Sequence, residues 1–216
     1  MAEPFAVKDC ALIAIGTGER AQNLRELRDR LKTIHPACIY HHFWGGLLRP
    51  LFDDPEYLND FAGWARHGLR DARLAEKLAL VDPSQCATLD DLRRELIEVI
   101  EERLEESEFI PWAKTNQQFH FVRSQIVVFD TNLRLEDPSM LAGLVPRLSV
   151  GSIFYHFIDA RRRTTSKRDD FSEWLVGFGD RCAEMVIPRL SAIDPYFSTL
   201  TELRRELEMV FKVCLA

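Results

Sequence analysis

The sequence predicts an α+β protein that is predominantly helical and contains an internal tandem duplication. Three observations predict this class. Two segments carry the same landmarks in the same order, each segment begins with a short β-rich run, and the rest of each segment shows apolar residues at helical spacing. We therefore expect two strand-plus-helices units, related by a pseudo-twofold axis and packed together as one body.

The duplication is visible as pairs of motifs at a nearly constant separation. Residues 39–43 (I-Y-H-H-F) match residues 153–157 (I-F-Y-H-F), a separation of 153 − 39 = 114. The other pairs, in the same order, are residues 24–31 with 141–148, 60–64 with 170–174, 82–83 with 194–195, and 89–96 with 200–207. These pairs predict repeat 1 at residues 4–104, a connector at 105–118 and repeat 2 at 119–215.

Each repeat opens with a predicted strand, at residues 5–15 and 119–129. The second run ends in Val127-Val128-Phe129, residue types that are enriched in strands. One strand is not stable alone, so we expect the two strands to pair with each other.

The remainder of each repeat is predicted to be helical. In repeat 1, apolar spacing predicts helices around residues 24–31, 39–43, 61–64 and 74–81. In repeat 2, Asp137-Pro138 is typical of an N-cap followed by proline at the first helical position. Thr88-x-x-Asp91 and Thr199-x-x-Glu202 are capping boxes that predict the start of the last helix of each repeat.

Composition excludes several classes of function. The net charge of -6 and a pI near 5.6 disfavour nucleic-acid binding. No apolar run approaches the roughly 20 residues of a membrane-spanning helix, and the first four residues do not resemble a secretion signal. The five cysteines include no C-x-x-C pair, which favours reduced thiols. We expect a cytoplasmic protein.

Four motifs together resemble a bacterial protein family of unknown function. They are N-L-R-E-L at residues 23–27, I-Y-H-H-F at 39–43, N-D-F-x-x-W at 59–64 and L-A-E-x-L at 74–78. The resemblance covers nearly the whole chain. It implies no activity, cofactor or catalytic residue.

A histidine and tyrosine block is the first candidate site, formed by Tyr40, His41, His42, Tyr155 and His156. Imidazoles and phenols can serve acid-base chemistry or ligand binding. The same residues beside Ile39 and Phe43 are also typical of buried packing, which we favour. No metal is predicted, since a metal needs three or four ligands and the neighbouring His41 and His42 should point to different helix faces.

A second candidate pairs an aspartate with a tryptophan in each repeat: Asp60 with Trp64, and Asp170 with Trp174. The aspartates are expected to complement helix N-termini and the tryptophans to fill the core. A carboxylate beside an aromatic wall could instead bind a sugar or a cationic ligand.

Two further segments have alternative interpretations. Residues 16–21 match G-x-G-x-x-A, a dinucleotide motif, but the chain lacks the alternating strands and helices of that fold, so we predict a turn or the start of a helix. The basic run contains Arg161, Arg162, Arg163, Lys167 and Arg168. It is either a solvated loop, which we favour, or a patch that binds a phosphate group or an acidic partner.

No catalytic signature is present: the chain has no G-x-S-x-G, no Walker loop and no H-E-x-x-H. The favoured hypothesis is a non-enzymatic binding or regulatory protein without a cofactor, whose partner is a protein or a small polar ligand. The alternative is an enzyme or enzyme remnant with the tyrosine and histidine pocket between the repeats. A third hypothesis is a scaffold that binds through the connector and the basic run.

Overall fold

Two long strands and a series of helices make up the protein. The computed structural model describes residues 3–48, 56–106, 115, 117–179, 181–196 and 198–215. Strand β1 (Phe5–Ala21) and strand β2 (Phe119–Leu135) form a two-stranded sheet. The mixed, largely helical architecture confirms the predicted α+β class. Most of the predicted connector, including Pro111 and Trp112, lies outside the described residues.

The chain forms two compact units. The central unit is residues 12–125, and the terminal unit combines residues 1–11 with 126–216. Each strand therefore begins in one unit and ends in the other. In the central unit the Thr17 hydroxyl donates to the Phe121 carbonyl at 2.7 Å, and in the terminal unit the Thr131 hydroxyl donates to the Val7 carbonyl at 2.6 Å. These two contacts place the strands antiparallel.

The central unit contains five helices within its described residues. They are α1 (Leu24–Leu31), α2 (Pro36–Trp44), α3 (Asp60–His67), α4 (Ala72–Ala79) and α5 (Leu89–Glu105). Side chains at the N-caps accept main-chain N–H groups that the helices leave unpaired, as Asn59 does from Ala62 at 2.9 Å. Helix α5 packs against α1, α2 and α4, and its buried face covers the core of this unit.

Short helices dominate the first half of the terminal unit. The described helices are α6 (Met140–Leu144), α7 (Val150–Ile153), α8 (Ala160–Arg163), α9 (Asp170–Val176), α10 (Arg181–Ser191) and α11 (Leu200–Leu215). A π-helical segment (Phe154–Asp159) joins α7 to α8. Helix α11 packs against α6, α7 and α10. Its Phe211 is fully buried and contacts Phe171 of α9.

Local structure differs from the prediction at two positions. Residues 16–21 are not a turn or a helix start, because β1 continues to Ala21 alongside β2. Gly18, at a φ of 81°, supplies the left-handed backbone conformation within this stretch. Helix α6 begins two residues later than Asp137-Pro138 predicts. Asp137 accepts the Ser139 N–H in a turn, and the helix begins at Met140.

The capping boxes are present as predicted. The Thr88 hydroxyl accepts the Asp91 N–H at 3.1 Å at the start of α5. The Thr199 hydroxyl accepts the Glu202 N–H at 3.2 Å at the start of α11. Among the described residues, no helix is both long and apolar enough to cross a membrane.

Candidate functional site

His42 lies in the core of the central unit with hydrogen bonds at both ring nitrogens. Its Nδ1 is 2.7 Å from Oδ2 of Asp60, at the start of α3. The main-chain N–H of Val122 in β2 donates to its Nε2 at 3.2 Å. Because Nε2 accepts a hydrogen bond, it carries no proton, and Nδ1–H donates to the carboxylate. The imidazole is therefore neutral and has a fixed tautomer.

His156 in the terminal unit makes the same set of contacts. Its Nδ1 is 2.7 Å from Oδ2 of Asp170, and the main-chain N–H of Lys8 in β1 donates to its Nε2 at 2.8 Å. The ring packs against Phe5 and Phe171, with centroids 4.9 and 5.7 Å away. Neither His42 nor His156 has a free lone pair, so neither can take a proton from a substrate in this geometry.

The remaining members of the block are also buried. Tyr40 and Tyr155 are 5% and 8% exposed, and burial raises the pKa of the Tyr155 phenol. His41 Nδ1 is 2.6 Å from the Ser124 hydroxyl. Tyr40, His41 and His42 belong to the central unit, whereas Tyr155 and His156 belong to the terminal unit.

His41, His42 and Asp60 bring three potential metal-ligand atoms within 4.8 Å of one another. The neighbouring histidines thus converge more than their separation on a helix suggests. Binding a metal through Nδ1 of His42 would require the proton to move to Nε2. That nitrogen faces the Val122 N–H, so the two donors would then oppose each other. In the observed hydrogen bonding, the proton on His42 Nδ1 lies between that nitrogen and Asp60 Oδ2.

The tryptophan of each pair is anchored to its own unit by its indole N–H. Trp64 Nε1 donates to the Gln117 carbonyl at 2.6 Å, and Trp174 Nε1 donates to the Glu3 carbonyl at 2.8 Å. Each indole packs against the phenylalanine that opens a strand, Trp64 against Phe119 and Trp174 against Phe5. These contacts fix the aromatic wall beside each aspartate.

A cleft of about 420 Å³ opens beside Asp60 in the central unit. We call it the Asp60 cleft. The side chain of Asp60 is 54% exposed, although Oδ2 contacts the buried His42. The other residues that line the cleft are His42, Glu56, Tyr57, Asn59, Gly63, Trp64, His67, Gln117, Gln118, Phe119 and His120.

Asp170, by contrast, is covered by an arginine of its own unit. Its side chain is 17% exposed, and the Arg163 guanidinium is paired with its Oδ2. The same guanidinium lies 3.3 Å from the buried Asp159 carboxylate and 4.0 Å above the Tyr155 ring. A cation therefore already occupies the outer side of this carboxylate.

The other members of the basic run divide into two groups. Arg161 donates to the Leu190 carbonyl at 2.9 Å, and burial lowers the pKa of its guanidinium. Arg162 pairs with Asp159 at 2.9 Å. Lys167 and Arg168 are exposed. The three arginines are thus held by contacts within their unit, and the anion or partner patch at this run stays a prediction.

Sequence reasoning missed part of the Asp60 cleft and a second cleft of similar volume. Glu56, Tyr57, Gln118 and His120 belong to no repeated motif, so no pattern marked them. The second cleft, also about 420 Å³, is lined by residues that include Gly16, Arg30, His35 and Arg123. Arg30 pairs there with Glu19 at 3.0 Å.

The buried carboxyl of Asp169, next to Asp170 in the chain, should make the free energy of unfolding depend on pH. It caps α9 and accepts the Ser172 N–H at 2.8 Å, and burial raises the pKa of its carboxyl. In the central unit, the N-cap of α3 is the neutral Asn59. For a carboxyl whose folded-state pKa is raised, stability is present at low pH and is lost as pH rises through that pKa. Asp169→Asn should remove this loss and be at least as stable as wild type at neutral pH.

Urea unfolding of wild type, Asp169→Asn and Asp130→Asn between about pH 2 and pH 7 measures the effect. Asp130→Asn is a control of opposite sign, because the hydrogen bonds from Arg134 lower the pKa of Asp130 to about 2. A difference between Asp169→Asn and wild type that does not change with pH would contradict the assignment.

The fold and site define a two-unit α+β protein in which each unit holds a neutral histidine against a carboxylate. The chain belongs to a family of unknown function, DUF5752, whose model matches residues 2–212. This confirms that the chain belongs to a family of unknown function, as the sequence predicts. The structure is similar to the solved structure of OrfY from Thermoproteus tenax, with a TM-score of 0.83 and 30% identity over 99% of this chain and 97% of that one. A comparison with curated proteins found no match. These comparisons assign no function.

Proposed function

We propose that the protein is a non-enzymatic binding protein whose ligand site is the Asp60 cleft. The observation that carries the proposal is the hydrogen bonding of His42. Its Nδ1–H orients the Asp60 carboxylate, and its Nε2 is used by the main chain. The imidazole positions an anionic group at an open surface, and neither of its ring nitrogens is free to act as a base. Fixed polar groups in a partly aromatic concave surface are typical of small-ligand sites.

Thiol chemistry in the described residues favours the same interpretation. Burial raises the pKa of Cys10 to about 12, and burial together with a hydrogen bond to Glu95 raises the pKa of Cys86 to about 12. Thiols with a raised pKa are poor nucleophiles at neutral pH. The free thiols at Cys10, Cys38, Cys86 and Cys214 also support a reducing compartment such as the cytoplasm.

We infer that the two repeats descend from one copied segment. The support comes from contacts rather than from sequence letters alone. Each repeat supplies a histidine bonded to an aspartate and to a strand N–H, a tryptophan bonded to a carbonyl before a strand, and a threonine bonded to the opposite strand. A duplicated segment whose copies diverged around their aspartates explains why one carboxylate is covered and the other is open.

A fragment screen observed by NMR tests the proposed site. Small polar fragments should shift amide signals of residues around the cleft, including Asn59, Gly63 and His120. Shifts confined to the second cleft or to residues 161–168 would contradict the site. Turnover of general hydrolase or transferase substrates that disappears in His42→Asn would contradict the non-enzymatic assignment and favour the enzyme alternative.

A further inference from the structure

We propose that the Asp60 carboxylate binds a guanidinium or alkylammonium group. This inference rests on the proposed function and names the chemical class of its ligand. The ligand of the Asp60 cleft is then a small molecule or a side chain with an exposed cationic end.

In the terminal unit, the Asp170 carboxylate contacts both a histidine and an arginine. Asp170 receives a hydrogen bond from a neutral histidine, and a neutral donor leaves the negative charge of the carboxylate uncompensated. The compensation comes from Arg163, whose guanidinium contacts Asp170 and Asp159 and stacks on the Tyr155 ring. Charge-assisted hydrogen bonds and cation–π contacts both favour a guanidinium at this position.

The central unit repeats the anchor of this arrangement and leaves its outer side open. Asp60 is held by the neutral His42, and this is the contact made by its carboxylate among the residues that the structure describes. Glu56, the other carboxylate of the cleft, is 3.6 Å from Arg66 and 3.3 Å from His67. Among the described residues, Asp60 is thus the carboxylate of the cleft that is exposed and has no arginine or lysine partner.

The cleft also offers the surface that such a cation requires. Its volume of about 420 Å³ accommodates an alkylguanidinium. Tyr57 and Trp64 line the cleft beside Asp60, and the Gln118 side chain provides a neutral polar group. A planar cation can pair with the carboxylate while its apolar stem lies against the aromatic rings.

Calorimetric titration with n-butylguanidinium tests the proposal, with the neutral n-butylurea as the matched control ligand. Wild type, Asp60→Asn and Glu19→Gln are compared at low salt. The amide oxygen introduced by Asp60→Asn can still accept the His42 Nδ1–H, so this variant should fold, as checked by circular dichroism. Glu19→Gln removes a carboxylate from the second cleft of the same unit and serves as the control variant.

We expect n-butylguanidinium to bind at least about tenfold more tightly than n-butylurea. Asp60→Asn should remove that preference, and Glu19→Gln should retain it. Failure of wild type to prefer the cation, or an unchanged preference in Asp60→Asn, overturns the proposal. Neutral fragments that still bind the cleft would then leave the proposed function standing.

Discussion

Replacement of His156 by alanine is expected to lower the free energy of unfolding by about 3–5 kcal/mol. The change removes a buried ring that packs against both Phe5 and Phe171. It also leaves the main-chain N–H of Lys8 without its acceptor, and removes the hydrogen bond to Asp170. A cavity and an unpaired buried donor each destabilise the folded state, and here they occur at one position.

Urea unfolding measures this loss against a matched exposed histidine. His67 is 60% exposed and contacts Glu56, so His67→Ala should change the free energy of unfolding by no more than about 0.5 kcal/mol. His42→Ala should resemble His156→Ala, because Val122 loses the same kind of acceptor. A cost for His156→Ala as small as that for His67→Ala would show that the ring does not support the fold.

The second large effect is expected at Gly151, where helix α7 approaches strand β1. A Cβ atom at this position would overlap the carbonyl oxygen of Cys10 and the carboxylate of Asp9. The Asp9 side chain can rotate, but the carbonyl belongs to the strand and cannot move without disturbing it. Gly151→Ala should therefore lower the free energy of unfolding by about 2–3 kcal/mol.

Gly143 in helix α6 is the control for Gly151. An added Cβ there meets no atom within 4 Å, and alanine is the better helix former. Gly143→Ala should be neutral or stabilising by up to about 1 kcal/mol. Equal effects of the two substitutions in thermal or urea unfolding would mean that α7 and β1 are not packed as closely as the structure shows.

The sequence predicts local structure well wherever the signal is local. Thr88 and Thr199 mark helix starts because a cap needs only a hydroxyl and the next three residues. The apolar residues beside His42 and His156 favour burial of these histidines over a catalytic role. The residues that they contact, Asp60 and Asp170, follow 18 and 14 positions later in the chain. No rule of helical or strand spacing predicts hydrogen bonds at these separations.

Contacts between residues that are far apart in the chain could not be predicted from the sequence. The continuation of β1 through Gly16 and Gly18 depends on β2, which follows about a hundred residues later. The sequence favours a solvated loop for the basic run, because a run of basic residues does not show which groups those residues contact. Only the structure shows that Arg163 lies on the Tyr155 ring between two carboxylates, and that the corresponding side of Asp60 faces a cleft.

If the proposed duplication holds, the division of each strand between the two units has an evolutionary consequence. A chain that consisted of one repeat alone would carry half of the strand residues for each of two cores and could complete neither by itself. Two such chains would have to exchange their strand halves as a homodimer, in the manner of domain swapping. Gene fusion would convert that exchange into an intramolecular one, so that assembly no longer depends on protein concentration. In the fused chain, the sequences of the two copies could then diverge independently.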